Sequence, residues 1–84
     1  MNEPVVNKPR INDQFNVKIV EVKDSYYIVE FTKDNHKYRG CILKSDIKNR
    51  KLSIMNNLDA IIIRSQYSVE LFGKIIDYFD LAEV

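Results

Sequence analysis

Apolar and polar positions alternate along the first half of the chain and lose that regularity in the second. Phe15 to Val22 carries Phe15, Val17 and Ile19 against Asn16 and Lys18. A period of two sends successive side chains to opposite faces of an extended strand. Val20 and Val22 fall on the other parity, so this strand either bulges near Val20 or is covered on both faces. Lys23-Asp24-Ser25 has the composition of a turn. Tyr26 to Phe31 is the most strand-like stretch, with Tyr27, Val29 and Phe31 on one face and Tyr26, Ile28 and Glu30 on the other. Lys33-Asp34-Asn35-His36 reads as a hairpin loop, because Asp and Asn tolerate turn geometry. Tyr38 to Leu43 is a third strand, and Gly40 within it marks a bulge or a close backbone approach. The three strands form an up-and-down meander.

Beyond Ser45 the period changes. Ile47, Lys51, Ile54, Met55 and Leu58 recur at helical spacing, with Ser45 or Asp46 as a cap; the segment is a short helix or a long loop anchored by apolar residues. Asp59 to Arg64, with three consecutive isoleucines, predicts a buried strand. Ser68 then caps a predicted helix over 68–81, with Val69, Phe72, Ile75, Ile76 and Phe79 on one face and Glu70, Lys74, Asp77 and Asp80 opposite. Gly73 costs such a helix about 1 kcal/mol relative to alanine. The alternative is a pair of strand pieces, Val69 to Leu71 and Lys74 to Ile76, around a glycine bulge; the spacing favours the helix. Residues 1–12, with Pro4 and Pro9, read as a flexible N-terminal arm. The expected fold is mainly β: one domain over 13–84, a small five-stranded antiparallel barrel with a C-terminal amphipathic helix.

Composition narrows the class. A chain of 84 residues makes one domain, and 45% hydrophobic with 30% charged residues is globular, not disordered. Cys41 is the sole cysteine, which excludes an internal disulfide and a cysteine-based zinc site, so no metal or cofactor is expected. A lone thiol suits a reducing compartment, and the expected location is intracellular, cytoplasmic or nuclear. Met1 to Ile11 lacks the apolar region of a secretory leader. No apolar run approaches the roughly 20 residues of a membrane helix.

The net charge of +1 conceals an asymmetry. Lys33, Lys37, Arg39, Lys44, Lys48, Arg50 and Lys51 are opposed in that stretch only by Asp34 and Asp46. From Glu70 onward, Lys74 meets Glu70, Asp77, Asp80 and Glu83. The middle of the chain is basic and its end acidic.

The stretch Ile11 to Ile47 resembles OB-fold RNA-binding domains of the type repeated in a bacterial ribosomal protein. The resemblance lies in Ile11-Asn12-Asp13-Gln14-Phe15-Asn16-Val17, in the aromatic strand Tyr26 to Phe31, and in Gly40-Cys41-Ile42-Leu43-Lys44-Ser45-Asp46-Ile47. It covers under half of the chain, with short motifs and without the glycine of the first turn. Tyr26 to Phe31 followed by a turn is equally similar to the middle strands of Tudor/SH3-like barrels. The first resemblance implies RNA binding, and the second implies a methylated peptide held in an aromatic cage.

Three binding surfaces follow. Tyr26, His36, Lys37, Tyr38 and Arg39, supported by Lys44, Lys48, Arg50 and Lys51, form a basic-aromatic band suited to single-stranded nucleic acid: rings stack on bases and cations neutralise phosphates. The competing view is a solvated face with tyrosines partly in the core. Tyr26, Tyr27, Phe31 and Tyr38, with Glu30, are the candidate cage. Leu71, Phe72, Ile75 and Phe79 on the terminal helix are candidate contacts for a protein partner or for a homo-oligomer, or simply close the barrel. Catalysis has no comparable support. His36 and Cys41 are five residues apart and could pair on a hairpin, but a small buried cysteine and a loop histidine explain them as well. The chain therefore reads as a non-catalytic binding module, with RNA the leading ligand and a protein partner the alternative.

Overall fold

The computed structural model describes residues 8–47 and 52–84, with backbone alone at residues 65 and 66. The elements in order are β1 (Gln14–Val22), β2 (Tyr26–Lys33), β3 (His36–Leu43), a 3-10 turn at Lys44–Asp46, β4 (Asn57–Leu71) and β5 (Lys74–Glu83). The fold is mainly β.

The meander is present. β1 pairs antiparallel with β2, and β2 with β3. Of the two readings at Val20, the bulge is the one present, since the register shifts between Ile19 and Glu21. Asp34 and Asn35 connect β2 to β3 at φ 51° and 65°. Positive φ at both central residues is the type I′ turn, whose twist matches that of the flanking strands. β4 then returns along the other edge of β1, and β5 lies between β3 and β4. The pairings close a barrel in the order β1-β2-β3-β5-β4. The β3–β5 pair is parallel, so the barrel is not wholly antiparallel as the sequence suggested.

Alternation fills the interior. Val17 and Ile19 of β1, Tyr27, Val29 and Phe31 of β2, and Ile42 of β3 meet Leu58, Ala60 and Ile62 of β4 and Phe79 and Leu81 of β5. Gly40 is the close approach its position implied. A Cβ there would strike the Leu81 side chain and sit 2.8 Å from the Phe79 carbonyl oxygen.

The C-terminal helix expected over 68–81 does not form; the segment is the end of β4 and most of β5. Its apolar residues serve two environments. Phe79 and Leu81 point into the barrel, while Val69, Leu71 and Ile76 line the outside of a projecting hairpin. Residues from both faces of extended chain had summed to a helical stripe. The turn at the end carries φ 52° at Phe72 and 75° at Gly73, again type I′.

β4 bends to make this possible. Its register against β5 shifts between Ile62 and Arg64 and again between Arg64 and Tyr67. Bulges increase local twist and re-aim a strand, so β4 begins in the barrel wall and ends in a two-stranded ribbon with β5. At the other end of the chain, residues 8–12 are tied down. Pro9 is buried, and the Asn12 N–H donates to the Ile62 carbonyl at 2.8 Å. Residues 1–7 of the expected arm lie outside the described residues.

Candidate functional site

An open groove of about 880 Å³ lies between the outer face of β2–β3 and the β4–β5 ribbon. Its floor is Tyr26 and Ile28 of β2 with Arg39, Cys41 and Leu43 of β3. Its wall is Tyr67, Val69 and Leu71 of β4 with Ile76, Tyr78 and Asp80 of β5. Glu21 and Lys23 close one rim, and Phe72 and Lys74 stand at the ribbon's tip.

Register explains why these residues meet. Directly opposed residues of an antiparallel pair share a face. Tyr26 opposes Leu43 and Ile28 opposes Cys41, so the odd positions of β3 and the even positions of β2 look outward together. On the ribbon, Tyr67 opposes Tyr78, Val69 opposes Ile76 and Leu71 opposes Lys74, all facing the groove. The other ribbon face is more polar: Ser68 donates its hydroxyl to Asp77 at 2.8 Å, and Glu70 opposes Ile75. Ile28 and Tyr78 are buried although they point away from the barrel interior, because they lie at the bottom of this groove.

One polar cluster interrupts the apolar lining. The Tyr67 hydroxyl lies 3.1 Å from an Asp80 carboxylate oxygen and 3.7 Å from Cys41 Sγ. The phenol has one proton, and the carboxylate is the stronger acceptor. Burial pushes the Cys41 thiol up from its ordinary range, the Tyr67 hydrogen bond opposes this, and the Asp80 charge adds to it. The Tyr67 phenol is also pushed well up, chiefly by burial and then by Cys41 and Asp80. A raised thiol pKa is the opposite of what a nucleophilic cysteine requires.

The cations around the groove are largely engaged with acids. Arg39 lies 3.2 Å and Lys37 4.0 Å from the two oxygens of Glu30. Lys23 sits 3.7 Å from Glu21, and Arg64 reaches Asp80 at 3.8 Å.

The basic-aromatic band does not assemble as the sequence suggested. Tyr26 and Arg39 both line the groove, and Lys37 shares Glu30 with Arg39. Tyr38, however, belongs to the opposite face of β3. It packs on the core, with its ring 5.8 Å from Phe31 and 5.8 Å from Phe79. Tyr26 and Lys37 sit near opposite ends of the hairpin, since Tyr26 pairs with Leu43 and Lys37 with Thr32; that separates them by about 20 Å at the strand rise. His36 is exposed at the start of β3. The Lys44 ammonium lies over the Tyr27 ring at 5.3 Å. Lys48, Arg50 and Lys51 lie outside the described residues.

The cage does not form either. Tyr27 and Phe31 are in the core with Tyr38 against them, while Tyr26 is on the outer face. Nor do His36 and Cys41 pair: strand parity sends them to opposite faces, about 16 Å apart along β3. Among the partner-contact residues, Leu71, Phe72 and Ile75 are exposed on the ribbon, whereas Phe79 is sealed in the barrel. Sequence reasoning missed the groove wall formed by Tyr67, Val69, Ile76 and Tyr78. Its signal was the alternation that the helical reading overrode.

Among the described residues no cluster of His, Cys, Asp and Glu is suited to hold a metal, and no helix is long and apolar enough to cross a membrane. No family model matches the chain, and no curated protein matches its sequence.

Proposed function

We propose that this chain is a non-catalytic protein-interaction module whose docking surface is the groove and the ribbon that walls it. The observation that carries this reading is Phe72. Phe72 is 103% exposed, at the tip of a ribbon whose groove-facing side carries Val69, Leu71 and Ile76 beside Lys74. Large exposed apolar groups clustered with a polar rim mark surfaces that proteins cover. Leu43 is exposed on the groove floor as well. Binding of this kind is driven by apolar burial, with charge setting orientation.

Single-stranded nucleic acid is the second reading, and one observation favours it. Five strands closed with β5 between β3 and β4 form a Greek-key barrel. That order supports the OB-like resemblance over the Tudor/SH3-like one, and OB-folds bind oligonucleotides on the strand 2–3 face between the first and last hairpin loops. The groove lies in that place. Against it stands the charge: affinity for a polyanion comes from cations that release counterions, and here Arg39, Lys37 and Lys23 already face carboxylates.

The experiment compares capture of partners by immobilised wild-type chain and by Leu43→Glu, with nuclease treatment, alongside titration of a labelled oligouridine. The reading expects nuclease-resistant capture that Leu43→Glu abolishes, and negligible oligonucleotide binding at low salt. Capture that nuclease removes, or tight oligouridine binding with a steep salt dependence, favours nucleic acid instead.

A further inference from the structure

β4 leaves the barrel with one edge open. On that side β1 pairs with it only at residues 57–61, and the last hydrogen bonds join Ile62 to Asn12 and Asp13. Among the described residues no strand pairs with the outer edge of residues 67–71, whose inner edge is taken by β5. Resting on the protein-docking reading, we propose that the partner docks by strand addition, an extended segment of alternating apolar and basic residues pairing with this edge of β4.

Register fixes the backbone groups that the edge offers. Leu71 opposes Lys74 across the two-residue turn, and Val69 with Ile76 and Tyr67 with Tyr78 follow at alternate positions. The pair that closes a two-residue turn exchanges both of its hydrogen bonds, and bonded and unbonded pairs then alternate. Ser68 and Glu70 belong to the unbonded pairs, so their N–H and C=O groups point away from β5. These are the donors and acceptors that a further strand takes up. Residues 67–71 carry neither proline nor lysine, the residues that commonly guard an edge against pairing.

The two faces of the ribbon define the chemistry of the added strand. Strand side chains alternate between faces, and opposed residues meet on the same face. The groove face of the edge presents Tyr67, Val69 and Leu71, which match apolar residues. The other face presents Ser68, Glu70, Ile75 and Asp77, all exposed and with no cation among them. Asp77 accepts the Ser68 hydroxyl, and among the described residues neither Glu70 nor Asp77 is ion-paired. A lysine or arginine placed opposite Glu70 sets its charge beside that carboxylate, with its apolar stem toward Ile75. Pairing two copies through this edge gathers their Glu70 and Asp77 carboxylates on one face without a counter-charge. Like charges opposed across strands are destabilising, so the edge favours a basic partner over a second copy.

The test titrates the isotope-labelled full chain with a short capped peptide alternating lysine and valine. Two controls are the same peptide with glutamate for lysine and a backbone N-methylated form that cannot donate. The lysine peptide is expected to bind and to slow hydrogen exchange at the Ser68 and Glu70 amides. The glutamate form should bind about tenfold more weakly, and the N-methylated form not at all. Ser68→Pro removes an outward donor and no bond to β5, a change that edge strands tolerate. It should keep the wild-type amide spectrum elsewhere and bind the lysine peptide at least about fivefold more weakly. A lysine peptide that leaves both amides in fast exchange, or that binds as well when N-methylated, overturns strand addition. Equal binding of the glutamate form overturns the basic partner, and slowed exchange at both amides in the concentrated chain alone overturns it in favour of a second copy. Capture of partners separates the two readings: loss in Leu43→Glu but not in Ser68→Pro keeps the groove and overturns strand addition, whereas loss in neither overturns both.

Discussion

Tyr67 and Tyr78 stack across the ribbon, ring centroids 6.1 Å apart and planes 24° from parallel, at directly opposed positions of β4 and β5. Tyr78 is 3% exposed and Tyr67 lies over it at the groove surface. The pair marks where the barrel ends and the free ribbon begins, so it holds the groove wall at its root. Tyr78→Ala should destabilise the chain by about 3 kcal/mol, the lower end for losing a buried aromatic. Tyr67→Phe keeps the ring and loses the hydrogen bond to Asp80, costing about 1 kcal/mol. Urea unfolding of both variants checks the ranking.

The two glycines should respond differently to alanine. Gly40 has no room, because a Cβ would meet the Leu81 side chain and the Phe79 carbonyl across the parallel β3–β5 pair. Gly40→Ala should cost about 2–3 kcal/mol through overpacking against backbone. Gly73 has open space around it but sits at φ +75°, so Gly73→Ala should cost only about 1–2 kcal/mol, from conformation alone. Denaturation midpoints of the two variants give the comparison.

Alkaline pH should weaken the fold through Cys41 and Tyr67. Both are held above their ordinary values of 9.0 and 10.0, chiefly by burial. The folded state favours the protonated forms, so the unfolded chain releases these protons first as pH rises. Their contribution is intact below pH 9.0 and is lost as pH climbs through 9.0 and then 10.0 toward the higher folded values. Cys41→Ala should flatten the first part of that decline and Tyr67→Phe the second. Urea midpoints across the alkaline range measure this, and a profile unchanged in both variants would refute it.

Glu30 should act as a brake on polyanion binding. Its carboxylate engages both Arg39 and Lys37. Glu30→Gln leaves those cations available to phosphates, so oligouridine affinity should rise from negligible to the range of about 10⁻⁴ M typical of non-specific contacts, with a steeper salt dependence. Fluorescence anisotropy at two salt concentrations reports it. Tight binding by wild type, unchanged in Glu30→Gln, would count against this role.

The meander was legible because its signals are local. Phe15, Val17 and Ile19 set the face of β1, Asp34-Asn35 has residues that tolerate the positive φ of a type I′ turn, and Gly40 marked a bulge or a close backbone approach, the second of which is present. The ribbon was legible only as the less favoured of two readings, Val69 to Leu71 and Lys74 to Ile76 as strand pieces around Gly73, because its turn is Phe72-Gly73 and Phe is an unusual choice at positive φ. Without that turn, Val69, Phe72, Ile75, Ile76 and Phe79 fit a helix as well as a strand. Which face of β3 holds Tyr38 depended on register across the whole barrel, and β5 inserting beside β3 is a long-range pairing that no local pattern encodes. The candidate site was therefore half visible: Tyr26, Arg39, Leu71 and Phe72 were singled out, while the surface that joins them was not.

The most direct test maps amide chemical shifts of the isotope-labelled chain against a protein partner recovered by nuclease-resistant capture and, separately, against oligouridine. The docking account predicts that the captured partner shifts Tyr26, Ile28, Leu43, Phe72 and Ile76 together, while oligouridine leaves them in place. Shifts at those residues with oligouridine alone, or protein-induced shifts confined to the exposed side of β1, would contradict it.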